Sequence, residues 1–199
     1  MPYPIQKMDT RRALQSLNSK PPKYLPPEDI HLILEAWRSN RKYELLGTLL
    51  WQTGIRITEA LTLKAEDIDW NLRQLTVHTL KQRTGNITAQ RNIPLSDAIL
   101  PMLSLYIQQE GLKPSDYLFN MSRFAVHQKL KETVAKVMPY KRWVHAHTFR
   151  HSFAVNYLKC GGNLISLKKI LGHRRIENTM IYLQLTQGDL REDIAKVSF

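Results

Sequence analysis

Hydrophobic residues in the first part of the chain recur at the spacing of amphipathic helices. A helix is predicted to begin at residues 26–29, because two prolines followed by two acids are typical of a first helical turn. Its apolar stripe consists of Ile30, Ile33, Leu34 and Trp37. A second helix is predicted over roughly 42–52, with Gly54 as its C-terminal stop. Its buried face carries Leu45, Leu46, Leu49 and Leu50.

Between about 67 and 94 the pattern changes from helical spacing to the alternation of strands. The predicted strand positions are Ile68, Trp70, Leu75, Val77 and Ile93, with Thr76 and His78 as the alternating polar residues. Gly85-Asn86 marks the predicted tip of a hairpin. This region therefore supplies one small sheet.

Helical spacing returns after Ser96 and continues through the second half of the chain. One stripe ends at Gly111 and consists of Ile99, Leu100, Leu103 and Ile107. The next follows a predicted Ser122 cap and consists of Phe124, Leu130, Val134 and Val137. Further helices are predicted over 148–159, 164–171 and around 179–183, the first of them ended by Gly161-Gly162. The predicted fold class is therefore α+β, mainly helical with one small sheet.

The two ends of the chain differ from this body. Residues 1–24 are predicted to form an extended basic arm, because scattered prolines accompany Lys7, Arg11, Arg12, Lys20 and Lys23. The folded domain is predicted to span 25–199, including a helical tail from about 186. The tail carries Leu190, Ile194 and Val197 at helical spacing, which suggests a short amphipathic helix that docks in a groove.

Composition narrows the class of partner. The chain has 29 Lys plus Arg against 17 Asp plus Glu, a formal charge of +12 and a pI near 9.9. That excess is typical of proteins that bind a polyanion such as nucleic acid. A ribosomal or histone-like binder could show the same charge, so composition leaves an enzyme and a passive binder both open.

Cysteine content and hydropathy indicate the compartment. Cys160 is the single cysteine, which excludes an intramolecular disulfide, and it is predicted to be a buried small hydrophobe that closes a helix. The sequence has neither a secretory signal nor an apolar run of roughly 18 residues or more. We therefore predict a cytoplasmic protein that does not contact a membrane.

Two pairs of residues with the same spacing could bind an anion. His147 and Arg150 lie three apart at the start of a predicted helix, so both project from one face near its positive terminus. Arg56 and Glu59 have the same spacing after Gly54, which would let the carboxylate hold the guanidinium at a fixed angle towards a phosphate. Glu59 is thus predicted to be an orienting residue and not an acid catalyst.

Tyr182 lies nine residues after His173 and is the predicted nucleophile. Tyrosine can attack a phosphate covalently, and two nearby arginines would stabilise the charge that develops on the phosphate oxygens. They should also favour the phenolate, because an unperturbed tyrosine has a pKa near 10. In isolation, however, Tyr182 between Ile181 and Leu183 could be an ordinary core tyrosine.

Other aromatic and histidine residues have less specific interpretations. Histidines at 145, 147, 151 and 173 could suggest a metal site, but no cysteine or carboxylate lies at ligand spacing among them and Arg150 would repel a cation. No metal site is predicted. Trp37, Trp51 and Trp70 fall on apolar stripes and are predicted to pack in the core. Trp143 is open between core packing and base stacking.

The ordered motifs resemble the catalytic domain of the tyrosine recombinase, or phage integrase, family. The resemblance covers nearly the whole chain from about Lys23. Residues 53–59 match the family segment Thr-Gly-x-Arg-x-x-Glu, and residues 147–151 match His-x-x-Arg-His. Leu171-Gly172-His173 and then Tyr182 match the remaining motif. The resemblance implies a small antiparallel three-stranded sheet within the mainly helical catalytic domain, and it implies a catalytic lysine on the hairpin, for which Lys81 is the best candidate.

The resemblance also implies a mechanism without metal, ATP or another cofactor. Tyr182 would attack a phosphodiester of double-stranded DNA, giving a 3′-phosphotyrosine and a free 5′-hydroxyl, and a 5′-hydroxyl would later reseal the strand. Arg56, Arg150 and His173 would bind the nonbridging oxygens, Lys81 would protonate the leaving oxygen, and His147 would assist proton transfer at the tyrosine. Glu59 and His151 would support these residues.

Basic residues outside the motifs are candidate DNA contacts. They are Lys7, Arg11, Arg12, Arg83, Arg91, Lys141, Arg142, Arg174 and Arg175. The family resemblance implies a homo-oligomer on DNA, a tetrameric synapse, with the C-terminal tail docked on a neighbouring protomer. Packing of the tail on its own protomer is the alternative.

The chain departs from the family by lacking the helical DNA-clamping domain that usually precedes the catalytic one. It could be a minimal recombinase that resembles the fimbrial phase-switch recombinases, or a part of a longer protein. The predicted function is site-specific recombination. A type IB-like topoisomerase and a non-catalytic DNA-binding regulator are the alternatives.

Overall fold

The structure, a computed structural model, describes residues 20–80 and 87–186. Several residues named above lie outside these ranges: Lys7, Arg11, Arg12, Lys81, Arg83, Gly85, Asn86, Leu190, Ile194 and Val197. In the part that is described, the helices are α1 Pro27–Trp37, α2 Arg41–Thr53, α3 Ile57–Ala60, α4 Ile99–Glu110, α5 Arg123–Val137, α6 Ala146–Lys159, α7 Leu164–Leu171 and α8 Glu177–Met180. Single 3-10 turns follow α3, at Ala65–Asp67, and α8, at Leu183–Leu185. No helix among these residues is long and apolar enough to cross a membrane.

Local sequence signals set the helix boundaries. The Asn40 side chain accepts a hydrogen bond from the backbone N–H of Tyr43 at the start of α2, and the Ser122 side chain accepts one from Ala125 at the start of α5. Gly54 ends α2 in the left-handed conformation, with φ 63°. The predicted helices over 26–37, 42–52, 99–111 and 164–171 are therefore confirmed within a residue or two.

Three antiparallel strands form the sheet, in the order β1 Ile68–Asp69, β2 Gln74–Leu80 and β3 Ile87–Pro94. Leu75 pairs with Ile93 and Val77 pairs with Arg91, and the register shifts by a bulge between Thr79 and Leu80. The small antiparallel three-stranded sheet is confirmed. Because side chains alternate along a strand, Arg91 shares a face with buried Ile93.

Helix α6 joins the two hydrophobic clusters of the domain. Phe149 packs in the main cluster, which is built on α1, α2, α4, α5 and the sheet. About one and a half turns of α6 further on, Ala154 and Val155 belong to a second cluster, with Leu167, Leu171 and Tyr182. Arg150 therefore lies where the two clusters meet.

Four predictions about single residues or short elements are wrong. Trp70 is 45% exposed and not in the core, because it follows the two-residue strand β1 at a turn. Phe124 is 74% exposed, because it lies two residues before the buried Val126 and therefore on another face of α5. Cys160 caps α6 but is exposed, because it lies between the exposed Lys159 and Gly161 at the end of that helix. The helix expected around 179–183 ends at Met180, before Tyr182.

Replacing Gly54 by alanine is expected to lower the free energy of unfolding by about 2 to 4 kcal/mol. The positive φ of Gly54 disfavours any Cβ, and that atom would also overlap the Phe153 ring and approach Leu171. Gly111→Ala is a matched control, because Gly111 has φ 61° but nothing within 4 Å of its Cβ position. We expect the control to cost only about 1 kcal/mol in denaturant unfolding. Equal losses in the two variants would contradict the packing argument.

Candidate active site

Helix ends bring the predicted site residues together. Arg56 follows the left-handed Gly54 at the end of α2 and is the N-cap residue of α3. Arg150 lies on α6, and His173 follows Gly172, a second left-handed cap with φ 64° at the end of α7. Tyr182 follows Ile181, the C-cap residue of α8, and packs against α6 and α7. The structure thus places four residues from distant parts of the sequence around one site.

Glu59 is hydrogen-bonded to both the backbone and the side chain of Arg56. Its carboxylate accepts a hydrogen bond from Nη1 of Arg56 at 3.0 Å and one from the Arg56 backbone N–H at 2.8 Å. Glu59 is 5% exposed, whereas the Arg56 side chain is about one third exposed. The carboxylate therefore fixes the backbone and Nη1 of an arginine whose side chain is still partly exposed.

Arg150 is held by two backbone carbonyls. Its Nη1 donates to the Gly54 carbonyl at 2.8 Å and its Nη2 donates to the Leu171 carbonyl at 2.7 Å. The side chain is 1% exposed, and burial together with the charge of Arg56 lowers its pKa, although a guanidinium still remains protonated at neutral pH. Arg150 thus carries a buried positive charge in a fixed plane.

Tyr182 is buried, and its hydroxyl contacts His151. The side chain is 1% exposed, and His151 Nδ1 lies 3.0 Å from Tyr182 Oη. Burial raises the pKa of Tyr182, and the charges of Arg150 and Arg56 act in the opposite direction with a smaller effect. The expectation that the arginines favour the phenolate is therefore correct in sign but outweighed by burial in this arrangement.

The site histidines are biased towards their neutral forms. Burial first, and then neighbouring positive groups, lower the pKa of His151 and of His173 to about 3. His173 Nδ1 is fixed by the hydroxyl of Thr179 at 2.9 Å, and Thr179 is fully buried. The pKa of His147 is also lowered, first by partial burial and then by the charge of Arg150.

The free energy of unfolding is expected to fall as the pH is lowered from about 7 to about 4. An unfolded histidine binds a proton near pH 6.5, but folded His151 and His173 do so only near pH 3. Between these two pH values the unfolded chain binds more protons than the folded one. For each pH unit of acidification, each of the two histidines therefore lowers the free energy of unfolding by at most about 1.4 kcal/mol. Denaturant unfolding across this range should show a shallower slope for His151→Gln. The same change at the exposed His31 should leave the slope unaltered; equal slopes in all three proteins would refute this account.

An open cleft of about 640 Å³ leads to the exposed side of this site. Arg56 and His147 are among the residues that line it. The rest of its lining consists of Ile57, Thr58, Arg123, Phe124, His127, His145 and Ala146. Because Arg56 and Arg123 both line it, the cleft carries positive charge.

Of the candidate DNA contacts that the structure describes, three lie at the surface and two are engaged in ion pairs. Arg142, Arg174 and Arg175 are exposed. Lys141 pairs with Asp29 of α1. Arg91 was expected among the DNA contacts, but its side chain is 11% exposed and its Nη2 lies 2.7 Å from Glu59 Oε2.

Sequence reasoning missed three features of the site. It assigned proton transfer at Tyr182 to His147, whereas the residue at hydrogen-bond distance is His151. It did not identify Thr179 as the partner of His173, and nothing in the local pattern indicates it. The burial of Arg91 had a signal, because strand alternation places it on the same face as Ile93. Among the described residues, no three or more His, Cys, Asp or Glu side chains are grouped so as to hold a metal ion.

Comparison with known proteins agrees with this geometry. The model of the phage integrase family matches residues 23–188. Tyrosine recombinase XerA of Saccharolobus solfataricus is 32% identical over 189 residues, which are 95% of this chain and 61% of that protein. The chain therefore belongs to the phage integrase family.

Solved structures show the same fold. The catalytic domain of bacteriophage HP1 integrase matches with a TM-score of 0.65 at 26% identity, over 87% of this chain and 94% of that one. The XerH site-specific recombinase bound to its difH substrate matches with a TM-score of 0.70 at 22% identity, over 90% of this chain and 55% of that one. The fold is that of a tyrosine recombinase catalytic domain, and the chain spans about 61% of the length of the first curated relatives it matches.

Proposed function

We propose that this protein is a site-specific DNA recombinase that cleaves and rejoins DNA through a 3′-phosphotyrosine at Tyr182. The observation that carries the proposal is the convergence of Tyr182 with Arg56, Arg150 and His173 in one site. Membership of the phage integrase family supports it. The Tn1549 transposon integrase, a structural neighbour described as in complex with transposon right end DNA, supports DNA as the partner.

The scissile phosphate is proposed to enter through the open cleft and meet Arg56. Arg56 keeps about a third of its side chain accessible while Glu59 fixes its other side, so it can donate to a nonbridging oxygen without reorganising. Arg150 and His173 lie deeper and would stabilise the charge that develops on the equatorial oxygens. The role of Lys81 in protonating the leaving oxygen remains a prediction.

His151 is proposed to accept the proton of Tyr182. In the buried arrangement a neutral imidazole with its proton on Nε2 accepts a hydrogen bond from the phenol O–H at Nδ1. Burial makes His151 a weak base there, so the proton transfer would follow the rearrangement that brings Tyr182 to the phosphate. The His147 ring lies edge-on to His151, with 4.7 Å between the ring centroids, at the rim of the cleft. His147 would therefore act on the tyrosine through His151.

Tyr182 must move before it can attack a phosphate, because its hydroxyl lies in a buried position. The segment around it consists of the single turn α8 and the 3-10 turn Leu183–Leu185, which few backbone hydrogen bonds hold in place. The free energy needed to withdraw the ring from its cluster would come from the binding of DNA. We propose that DNA binding exposes Tyr182.

The remaining parts of the proposal follow the family resemblance. Cleavage needs neither a metal ion nor ATP, because bond energy is conserved in the phosphotyrosine link. The protein would act in the cytoplasm on double-stranded DNA as a homo-oligomer, a tetrameric synapse, with the tail exchanged between protomers.

The test is to incubate the full chain with nicked suicide substrates prepared from pooled DNA, in EDTA and without ATP. We expect an SDS-resistant adduct whose DNA is joined through its 3′ end to Tyr182, as mass spectrometry of the peptide would show. Equal adduct formation on all sequences, with relaxation of single supercoiled circles, would favour a topoisomerase. Tight binding without any adduct would favour a non-catalytic regulator.

A further inference from the structure

Arg91 makes a set of contacts that a surface DNA-binding arginine would not make. Its Nη2 donates to Oε2 of Glu59 at 2.7 Å and its Nη1 donates to Oε1 at 3.1 Å, so the guanidinium and the carboxylate form a two-point pair. Its Nε donates to the Ile170 carbonyl at 2.7 Å, and Nη1 also reaches Oγ1 of Thr79 at 3.0 Å. Every nitrogen of this guanidinium therefore has a partner within the protein.

Two of these partners, Glu59 and Ile170, belong to the elements that hold the two arginines of the proposed phosphate site. Glu59 is the residue that fixes Arg56. Ile170 directly precedes Leu171, whose carbonyl accepts a hydrogen bond from Arg150. One guanidinium on β3 thus connects α3 with the end of α7.

The packing around Arg91 is close on the side of α7. A Cβ atom placed on Gly172 would lie 3.1 Å from Arg91 Nη1 and 3.2 Å from its Cζ. Glycine at this position therefore lets the backbone before His173 approach the guanidinium, in addition to providing the left-handed cap of α7.

The charge of Glu59 also depends on Arg91. Burial of the Glu59 carboxyl acts to raise its pKa, but the hydrogen bond and charge of Arg91 lower it, and the backbone N–H and charge of Arg56 add to that effect. The net pKa lies below the ordinary value, so Glu59 stays ionised. Without Arg91, Arg56 would be the one cationic partner left to this buried carboxylate among the residues that the structure describes.

We propose that Arg91 is a positioning residue and that it does not contact DNA. It holds Arg56 through Glu59 and holds Arg150 through the end of α7, and so it fixes the position of one arginine relative to the other. The inference rests on the proposed function, because that function gives Arg56 and Arg150 a common phosphate to bind. Lysine cannot replace Arg91, since one ammonium cannot donate in one plane to both carboxylate oxygens and to the Ile170 carbonyl.

The test compares Arg91→Met and Arg91→Lys with Arg73→Met in the full chain. Arg73 is a matched control, because it precedes strand β2 of the same sheet and pairs with Asp97 at the surface, with 62% of its side chain exposed. In the DNA reaction we expect both Arg91 variants to cleave about 10- to 100-fold more slowly at saturating DNA, the usual range for residues that orient a reacting group. DNA affinity and its salt dependence should be unchanged in all three variants.

Two further readouts separate positioning from general loosening of the fold. Arg91→Met should add little to the defect of Arg56→Ala in a double-mutant cycle, because both changes remove the same oriented guanidinium. The acidic limb of the cleavage pH profile should move to higher pH in Arg91→Met, because Glu59 then takes up a proton more easily. Additive defects or an unmoved acidic limb would overturn the proposal, and so would a reduced salt slope of DNA binding, which indicates a lost phosphate contact.

A measurement without DNA keeps this inference distinct from the proposed function. The ¹⁵N–{¹H} NOE of the Arg56 Nε–H should fall in Arg91→Met and stay at its wild-type value in Arg73→Met. Unchanged order of Arg56 in Arg91→Met would overturn the positioning role even if the wild-type protein cleaves DNA. If the wild-type protein forms no adduct on any DNA, the proposed function fails, and the NMR comparison still decides whether Arg91 orders Arg56.

Discussion

Replacing Tyr182 by phenylalanine is expected to abolish the covalent protein–DNA adduct, with a loss of at least about 10⁴-fold in the rate of strand cleavage. Phenylalanine keeps the buried ring among Ala154, Val155 and Leu171 but lacks the oxygen that would attack phosphorus. The fold should tolerate the change, because only the hydrogen bond with His151 is lost, at about 1 kcal/mol. Trapping on suicide DNA, with unfolding and DNA binding measured in parallel, checks both parts.

Tyr157→Phe is the matched control for that variant. Tyr157 is a partly buried tyrosine that packs against the same cluster, and the substitution removes the same atom. We expect adduct formation to be unchanged in the control. An adduct that persists in Tyr182→Phe, or disappears equally in both variants, would show that Tyr182 is not the nucleophile.

The second large effect is expected for Arg150→Lys. The Gly54 and Leu171 carbonyls belong to different helix ends, and a single ammonium group cannot reach both in the geometry of the guanidinium. One buried carbonyl would lose its partner, which should lower the free energy of unfolding by about 1 to 3 kcal/mol. Loss of the fixed charge opposite the phosphate should slow cleavage by about 10² to 10³-fold.

Arg38→Lys provides the reference for this variant. Arg38 follows α1 at the surface, with 71% of its side chain exposed and Glu35 as its partner. Both denaturant unfolding and single-turnover cleavage should be nearly unaffected by that change. Wild-type cleavage by Arg150→Lys would mean that positive charge alone suffices and that the two carbonyls play no part in orienting it.

Much of the fold could be predicted from the sequence, because its signals are local. Proline at the start of α1, Asn40 and Ser122 as caps, and Gly54 at the end of α2 act within one turn of the residues they affect. The errors arise where an apolar residue lies at the margin of an element. Trp70 and Phe124 carry the expected periodicity but lie beyond the core that would cover them, and periodicity does not report where a core ends.

The sequence by itself determined the residues that define the family and their order: Arg56, Glu59, Arg150, His173 and Tyr182. Short spacings such as that of Arg56 and Glu59 also determined their contact, because residues three apart at the start of a helix must lie close together. Only the tertiary structure decided which long-range partners these residues have.

The pairing of Tyr182 with His151 and of Glu59 with Arg91 joins residues more than 30 positions apart. Such contacts depend on how helices and strands pack against each other, which no local pattern specifies. Burial of Tyr182 is a tertiary property for the same reason, because it requires α6 and α7 to enclose the segment that follows α8. The sequence thus determines the chemical groups of the site. Their protonation, exposure and orientation are determined only when the two hydrophobic clusters pack together around Arg150.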